Sequence, residues 1–225
     1  MPTLYVVATP IGNLEDASKR ALRILSEVDL ILCEDTRVTK KLLDHYQIKT
    51  PTLSYHQHSK LNKVDYILDL LKQNKNLALV SDAGTPGISD PGNKLISAII
   101  TSSDLAVKIV PISGPSAVTV AASISGFPMD KFIFLGFPPT KRKRKKFFEE
   151  IVNSKYPAIF YESPYRILKT LNELRIMNHK LQIVVCRELT KKFEIIYRGK
   201  IEEVIKEIEK DKIKGEFVVV IKGKN

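Results

Sequence analysis

The chain is 225 residues long, 44% hydrophobic and 27% charged, a composition ordinary for a soluble globular protein of one large or two small domains. No apolar run reaches membrane-spanning length, the nearest being residues 95–100, and residues 1–20 lack a signal-peptide pattern; membrane-spanning and secreted classes are excluded and a cytoplasmic protein is expected. Lys and Arg total 36 against 25 Asp and Glu, a net charge of +11, which reads either as a lysine-rich bias or as attraction to a polyanion, nucleic acid first.

In chain order, residues 4–8 form a first apolar strand, and Asp16 is placed to cap a helix running through Glu27. Residues 29–33 form a second strand, and Thr36 is placed to cap a helix over 38–46. A short third strand over 51–55 precedes an amphipathic helix over 60–73, with Leu61, Val64, Ile67, Leu68 and Leu71 on one face. Residues 77–80 are apolar on both faces and bounded by breakers, as in a buried parallel strand. The loop after them reads SDAGTPGISDPG, with Asp90 and Pro91 placed as N-cap and first residue of a helix over 92–102. Twelve residues is long for a strand-to-helix connection, and a rigid glycine loop at the carboxyl end of a strand is a ligand position in open α/β sheets. A fifth strand over 107–111 completes an alternation that predicts a parallel sheet covered on both faces.

The boundary falls near residues 112–116, giving an N-terminal α/β domain over 1–112 and a C-terminal mixed α/β domain over 113–225. A small-residue helix over 117–125 is followed by strands at 132–137 and 157–161 and helices at 147–153 and 167–174. Strands at 182–189 and 194–199 lie close enough in sequence for an antiparallel hairpin; a helix over 201–210 and a last strand over 218–221 follow. Cys33 and Cys186 sit inside apolar strands, which suits buried reduced thiols, and no Cys/His spacing suggests a metal site.

The first strand-to-helix turn, residues 8–13, has one glycine and a proline where a dinucleotide fold needs G-x-G-x-x-G, and no Walker pattern occurs. NAD, FAD and NTP chemistry are therefore disfavoured. Five loops remain at the carboxyl ends of strands, at 8–13, 34–37, 56–60, 81–92 and 112–116, and their convergence makes a cleft. Asp82 and the backbone around Gly84 suit the ribose or amino-acid end of a zwitterionic ligand. Glu34 to Arg37 reads as a structural cap or as a substrate-side site. The run Lys141, Arg142, Lys143, Arg144, Lys145, Lys146 is either a solvated face or a loop that contacts phosphates, and Glu162 with Arg166 is equally open between a structural and a site reading.

Taken together, VATPIGNLED at 7–16, CEDTR at 33–37, the loop at 81–92, GPSA at 114–117, YESP at 161–164 with Arg166, and RELTK at 187–191 resemble the tetrapyrrole methylase superfamily. Within it they are similar to the ribosomal RNA small subunit methyltransferase I family, the 16S cytidine 2′-O-methyltransferases. The resemblance implies S-adenosylmethionine bound in a cleft between two α/β domains, a homodimer, and a decoding-centre cytidine ribose of 16S rRNA in the small ribosomal subunit as substrate. Carried over, the cofactor positions are Pro10, Ile11, Asp82, Ala83, Gly84, Ile88, Ser116, Ala117, Tyr161, Arg187, Gly215, Glu216 and Phe217. Glu34 to Arg37 and Glu162 to Arg166 resemble the substrate side. The sequence departs from the family in having Tyr165 where His is usual and a less acidic segment at 56–60. Lys192 and Phe193 also stand where a Lys-x-His-Glu-like pattern would follow. Many relatives continue into a helical extension past the last strand, so RNA contact expected of that segment falls to residues 141–146.

The implied reaction is an in-line displacement in which a ribose 2′-oxygen attacks the methyl carbon of a sulfonium. The donor is already activated, so the protein supplies alignment and a proton acceptor. Asp35, Glu162 and Glu34 are the candidate acceptors, with Arg37, Arg166 and Lys191 placing phosphates. A methyltransferase acting on a small tetrapyrrole would share the fold, but its pocket scarcely needs +11 or a six-residue basic run. A non-enzymatic RNA-binding protein would explain the charge but not the glycine loop.

Overall fold

Strand and helix alternate from the first residues, and the sheet they build is wholly parallel. β1 (Thr3–Val7), β2 (Leu30–Cys33), β3 (Thr52–Ser54), β4 (Leu77–Leu79) and β5 (Lys108–Ile112) lie in the order β3-β2-β4-β1-β5. The computed structural model describes residues 1–56, 61–90 and 92–224, and the chain forms two units, Met1–Ser116 and Ala117–Asn225.

Both faces of the first sheet are covered because its strands are apolar on both sides. Val7, Ile31, Cys33, Ala78 and Val80 pack with Ala21, Ile24 and Leu25 of α1 (Lys19–Glu27) and Leu42 and Leu43 of α2 (Thr36–His45). On the opposite side chains of the same strands, Leu4, Leu32, Leu77 and Leu79 pack with Ile67 and Leu71 of α3 (Leu61–Lys72) and Leu95 and Ile99 of α4 (Asn93–Thr101). Alternation of this kind is what a doubly covered parallel sheet requires. Pro111 is tolerated because β5 is an edge strand, where a missing N–H breaks no ladder.

Three helix starts differ from expectation. A 3-10 turn at Leu14–Asp16 occupies the region where Asp16 was to act as cap, and Ser18 caps α1 by accepting from the Ala21 N–H at 3.0 Å. Asp35 rather than Thr36 caps α2, accepting from the Arg37 N–H at 2.8 Å. Gly92, with no side-chain cap, precedes α4, so Asp90 is free of the capping role; Pro91, the other half of that reading, lies outside the described residues, as does the segment 57–60.

The second unit is mixed. β6 (Ile133–Phe134), β7 (Ala158–Glu162), β8 (Gln182–Arg187), β9 (Ile195–Lys200) and β10 (Phe217–Ile221) form a sheet in the order β6-β7-β10-β8-β9. Only β6 and β7 run parallel, and β8 and β9 make the expected antiparallel hairpin. β6 is shorter than the expected 132–137 because Gly136 takes a φ of +63° and turns the chain out of line. α5 (Ala117–Ile124) packs on β10 and β7. α6 (Arg144–Asn153), α7 (Ile167–Met177) and α8 (Ile201–Lys210) bury Phe148, Leu171, Leu174, Val204, Ile205 and Ile208 against Phe160, Val185, Phe217, Val219 and Ile221.

Cys33 and Cys186 are both buried and free, as their strand positions imply, and burial pushes the Cys186 thiol up to about 12. Among the described residues, no helix is long and apolar enough to cross a membrane.

Candidate functional site

At the carboxyl end of the first sheet the loops are stitched to one another. Thr9 and Gly84 exchange two backbone hydrogen bonds, Thr9 N–H to Gly84 O at 2.9 Å and Gly84 N–H to Thr9 O at 3.0 Å. Thr85 Oγ1 donates to the Pro115 carbonyl at 3.2 Å, and the Asp35 N–H donates to Asp82 Oδ1 at 2.9 Å. Loops after β1, β2, β4 and β5 thus converge. Gly84 has a φ of +83°, a left-handed conformation that favours glycine, while a Cβ there would make only ordinary contact with Ile11 Cγ2. Pro10 and Ile11 lie on the first of these loops, with Ile11 buried, while Asp82, Ala83 and Ile88 are exposed on the third. Ser116 closes the first unit and Ala117 opens α5.

The same end of the sheet gathers carboxylates, of which, among the described residues, only Asp35 forms a salt bridge. Burial, then the charge of Asp82, raises the Glu34 pKa, with His56 opposing. Burial and the charge of Asp35 raise that of Asp82, against the Asp35 N–H bond and the charge of Arg37. Asp90, half-buried, is pushed up to about 6 by burial and by the charges of Glu34 and Asp82, against a hydrogen bond with Ser81. Asp90 is the residue that sequence reasoning missed as part of this cluster. Its signal, an acidic residue inside a glycine loop, was consumed by the capping reading. Asp35 behaves in the opposite way. Arg37 donates Nε to Asp35 Oδ1 at 3.0 Å and Nη2 to Oδ2 at 2.6 Å, and this holds the carboxyl down to about 2.

In the second unit the ladder sets Phe217 opposite both Glu162 and Arg187, so the expected positions Tyr161, Glu162, Arg187, Gly215, Glu216 and Phe217 share one end of that sheet. Arg187, 9% exposed, donates Nε to the Lys214 carbonyl at 2.8 Å. Gly215, at φ +89°, lies where a Cβ would overlap the Glu188 carboxyl. That carboxyl accepts from the Glu216 N–H and from Lys191 Nζ, each at 2.9 Å, and Lys191 also reaches Glu216 at 2.9 Å. Lys191 therefore bridges two acids instead of presenting a lone cation.

Glu162 is 2% exposed and fully engaged. Oε1 accepts from the Ser163 N–H at 2.8 Å and from Arg166 Nη2 at 2.8 Å, and Oε2 accepts from Thr170 Oγ1 at 2.6 Å. Arg166 also donates to the Pro138 carbonyl at 3.2 Å. Lys141, Arg142, Lys143, Lys145 and Lys146 are exposed, but Arg144 corrects the reading of the basic run: it is buried. It donates to Glu173 at 2.8 Å, to Thr170 Oγ1 at 2.6 Å and to the Pro139 carbonyl at 3.0 Å, and its guanidinium lies 4.8 Å from the Phe148 ring centroid. It cannot contact phosphate from there. Its signal was helical spacing, since Arg144, Phe148 and Ile151 form the buried stripe of α6.

The family model for tetrapyrrole (corrin/porphyrin) methylases matches residues 3–205. The chain is 45% identical to a protein of Thermotoga maritima named ribosomal RNA small subunit methyltransferase I, over all of both chains. It is 46% identical to a protein of the same name from Vibrio cholerae, covering 99% of this chain and 77% of that one. Among solved structures, a diphthine synthase superposes with a TM-score of 0.74 at 14% identity, over 98% of this chain and 90% of the other, a likeness of fold alone.

Proposed function

Because this chain belongs to the tetrapyrrole methylase family and is a methyltransferase, we propose that it methylates 16S ribosomal RNA of the small subunit, using S-adenosylmethionine, at the 2′-oxygen of a decoding-region cytidine ribose. The observation that carries this reading is the identity, end to end, with a relative of that name. The net charge of +11 and the exposed cations at 141–146 suit a polyanionic substrate far better than a tetrapyrrole. A homodimer in the cytoplasm belongs to the same reading.

The first unit suits such a donor chemically. Glu34, Asp82 and Asp90 raise one another's pKa values and, among the described residues, none of them forms a salt bridge, so a ligand carrying ammonium and sulfonium charge relieves them. Pro10, Ile11 and the backbone of 82–84 supply an apolar and backbone wall. When bound, S-adenosylmethionine supplies an already activated methyl group.

What remains for the chain is orientation and a proton acceptor. Of the three acids considered, Asp35 is held by Arg37 and Glu162 by Arg166, Thr170 and the Ser163 N–H. Glu34, with its raised pKa and no guanidinium partner, is the acceptor we assign. Arg37, its side chain 88% exposed beyond the Asp35 pair, is placed to meet a phosphate.

Incubating the protein with labelled S-adenosylmethionine and 30S subunits, free 16S rRNA or a tetrapyrrole tests the substrate: label in rRNA ribose is expected, and label in the tetrapyrrole alone, or nowhere, overturns the reading. Glu34→Gln should lower single-turnover methylation about a hundredfold with donor saturating, whereas Asp35→Asn should lower it far less.

A further inference from the structure

Two large aromatic side chains of the second unit stand in water beside the basic run. Tyr165 is 96% exposed and Phe137 53% exposed. Neither contributes to the core, and each is carried by a stiff turn. Phe137 precedes Pro138 and Pro139, whose carbonyls accept from Arg166 and Arg144 respectively. Tyr165 sits in the turn closed by the Arg166 N–H donating to the Ser163 carbonyl at 3.1 Å. The guanidinium next to Tyr165 is thus bonded to the residue next to Phe137, which ties the two aromatic turns together. Phe137 leans on Tyr161 with centroids 5.4 Å apart, and Tyr161 in turn lies 5.0 Å from Phe134, so the exposed ring has a rigid backing.

We propose that Phe137 and Tyr165 are a stacking platform for unpaired RNA bases, with Lys141, Arg142 and Lys143 holding the adjoining phosphates. This rests on the reading of RNA as substrate. Every base has a face that stacks on an aromatic ring, and a basic track beside such rings is how single strands are held without reading sequence. A surface for another protein would extend the apolar area, whereas here the chain passes within four residues from Phe137 to Lys141 and its exposed cations. Two arginines, the buried Arg144 and the partly buried Arg166, are the ones that brace the turns. They fix the rings before RNA arrives and so lower the ordering cost of binding.

The protein has no tryptophan, so Tyr165→Trp installs a lone reporter that still stacks. Adding an unpaired, cytidine-containing oligoribonucleotide at low salt should quench its emission saturably, and a blunt RNA duplex should not. Phe137→Ala and Tyr165→Ala should each weaken binding of the labelled single strand about tenfold, while Tyr165→Phe, which keeps the ring, restores most of it. Emission that stays constant while anisotropy reports the oligonucleotide bound overturns the proposal. So does equal quenching by duplex, or wild-type affinity in Tyr165→Ala. Quenching without methyl transfer to any RNA would leave the platform standing and defeat the substrate reading instead. Normal methylation by a Tyr165→Ala protein that binds RNA normally would do the reverse.

Discussion

The acids at the two sheet ends are the same chemical group in opposite circumstances. Glu162 of the second unit is buried with a donor for each oxygen, whereas Glu34, Asp82 and Asp90 of the first unit crowd one another and, among the described residues, none forms a salt bridge. Burial alone does not distinguish structure from chemistry. A carboxylate with a donor at each oxygen is a bolt, here fastening β7 to α7 and to the 138–139 turn through Arg166. Carboxylates left to repel one another are a standing demand for a cation or a proton.

The largest effect should come from breaking the satisfied acid. Glu162→Ala leaves Arg166 and Thr170 facing an apolar hole, and equilibrium unfolding should show a loss of about 3 to 5 kcal/mol. If the loss were no larger than that of an exposed acid, the contrast between the two ends would collapse. Next, Asp82→Asn should keep the Asp35 N–H bond through its carbonyl oxygen and leave stability nearly unchanged. Donor affinity, read by calorimetry, should still fall about tenfold or more through the lost charge.

Asp90 offers a test with a sign. Its native pKa of about 6 lies above the unfolded value of 3.8, so the folded state holds the proton longer. Between those pH values stability falls as pH rises, and above about 6 the cost is constant. Asp90→Asn should therefore raise stability at pH 7.5 by about 1 kcal/mol, the full shift being discounted for partial exposure and for the Ser81 bond, and the gain should vanish below pH 4. A cationic donor binds the ionised form, so its affinity should climb with pH up to about 6 and then level, and this step should be absent in the variant. Smallest in stability, Lys141→Ala and Lys143→Ala should stay within about 0.5 kcal/mol of the parent, yet each should lower the salt slope of RNA binding by about 1.

Several features of the candidate site were legible in local sequence. Three glycines and two prolines in twelve residues suggest a loop of unusual, rigid backbone, and Gly84 has the left-handed backbone that this composition suggests. Cys33 and Cys186 were legible as buried because apolar runs around them admit no other placement. The helix caps were misread where several capping residues adjoin: Asp16 and Ser18, Thr36 and Asp35, and Asp90 and Gly92 compete within a turn, and backbone geometry chooses between them.

Sequence alone determined the alternation of apolar strands and amphipathic helices, the glycine loop, the basic run and the family, because each is written in local pattern or contiguous motif. Tertiary structure alone decided the fate of individual charges. Six basic residues in a row look alike until α6 turns Arg144 inward, and Glu34, Asp35, Asp82, Asp90 and Glu162 look alike until their neighbours are known. The reason is that the work of a charge is set by what lies within a few ångströms of it, and those partners come from strands and loops far apart in the chain, as in the bond between Asp35 and Asp82, 47 residues apart.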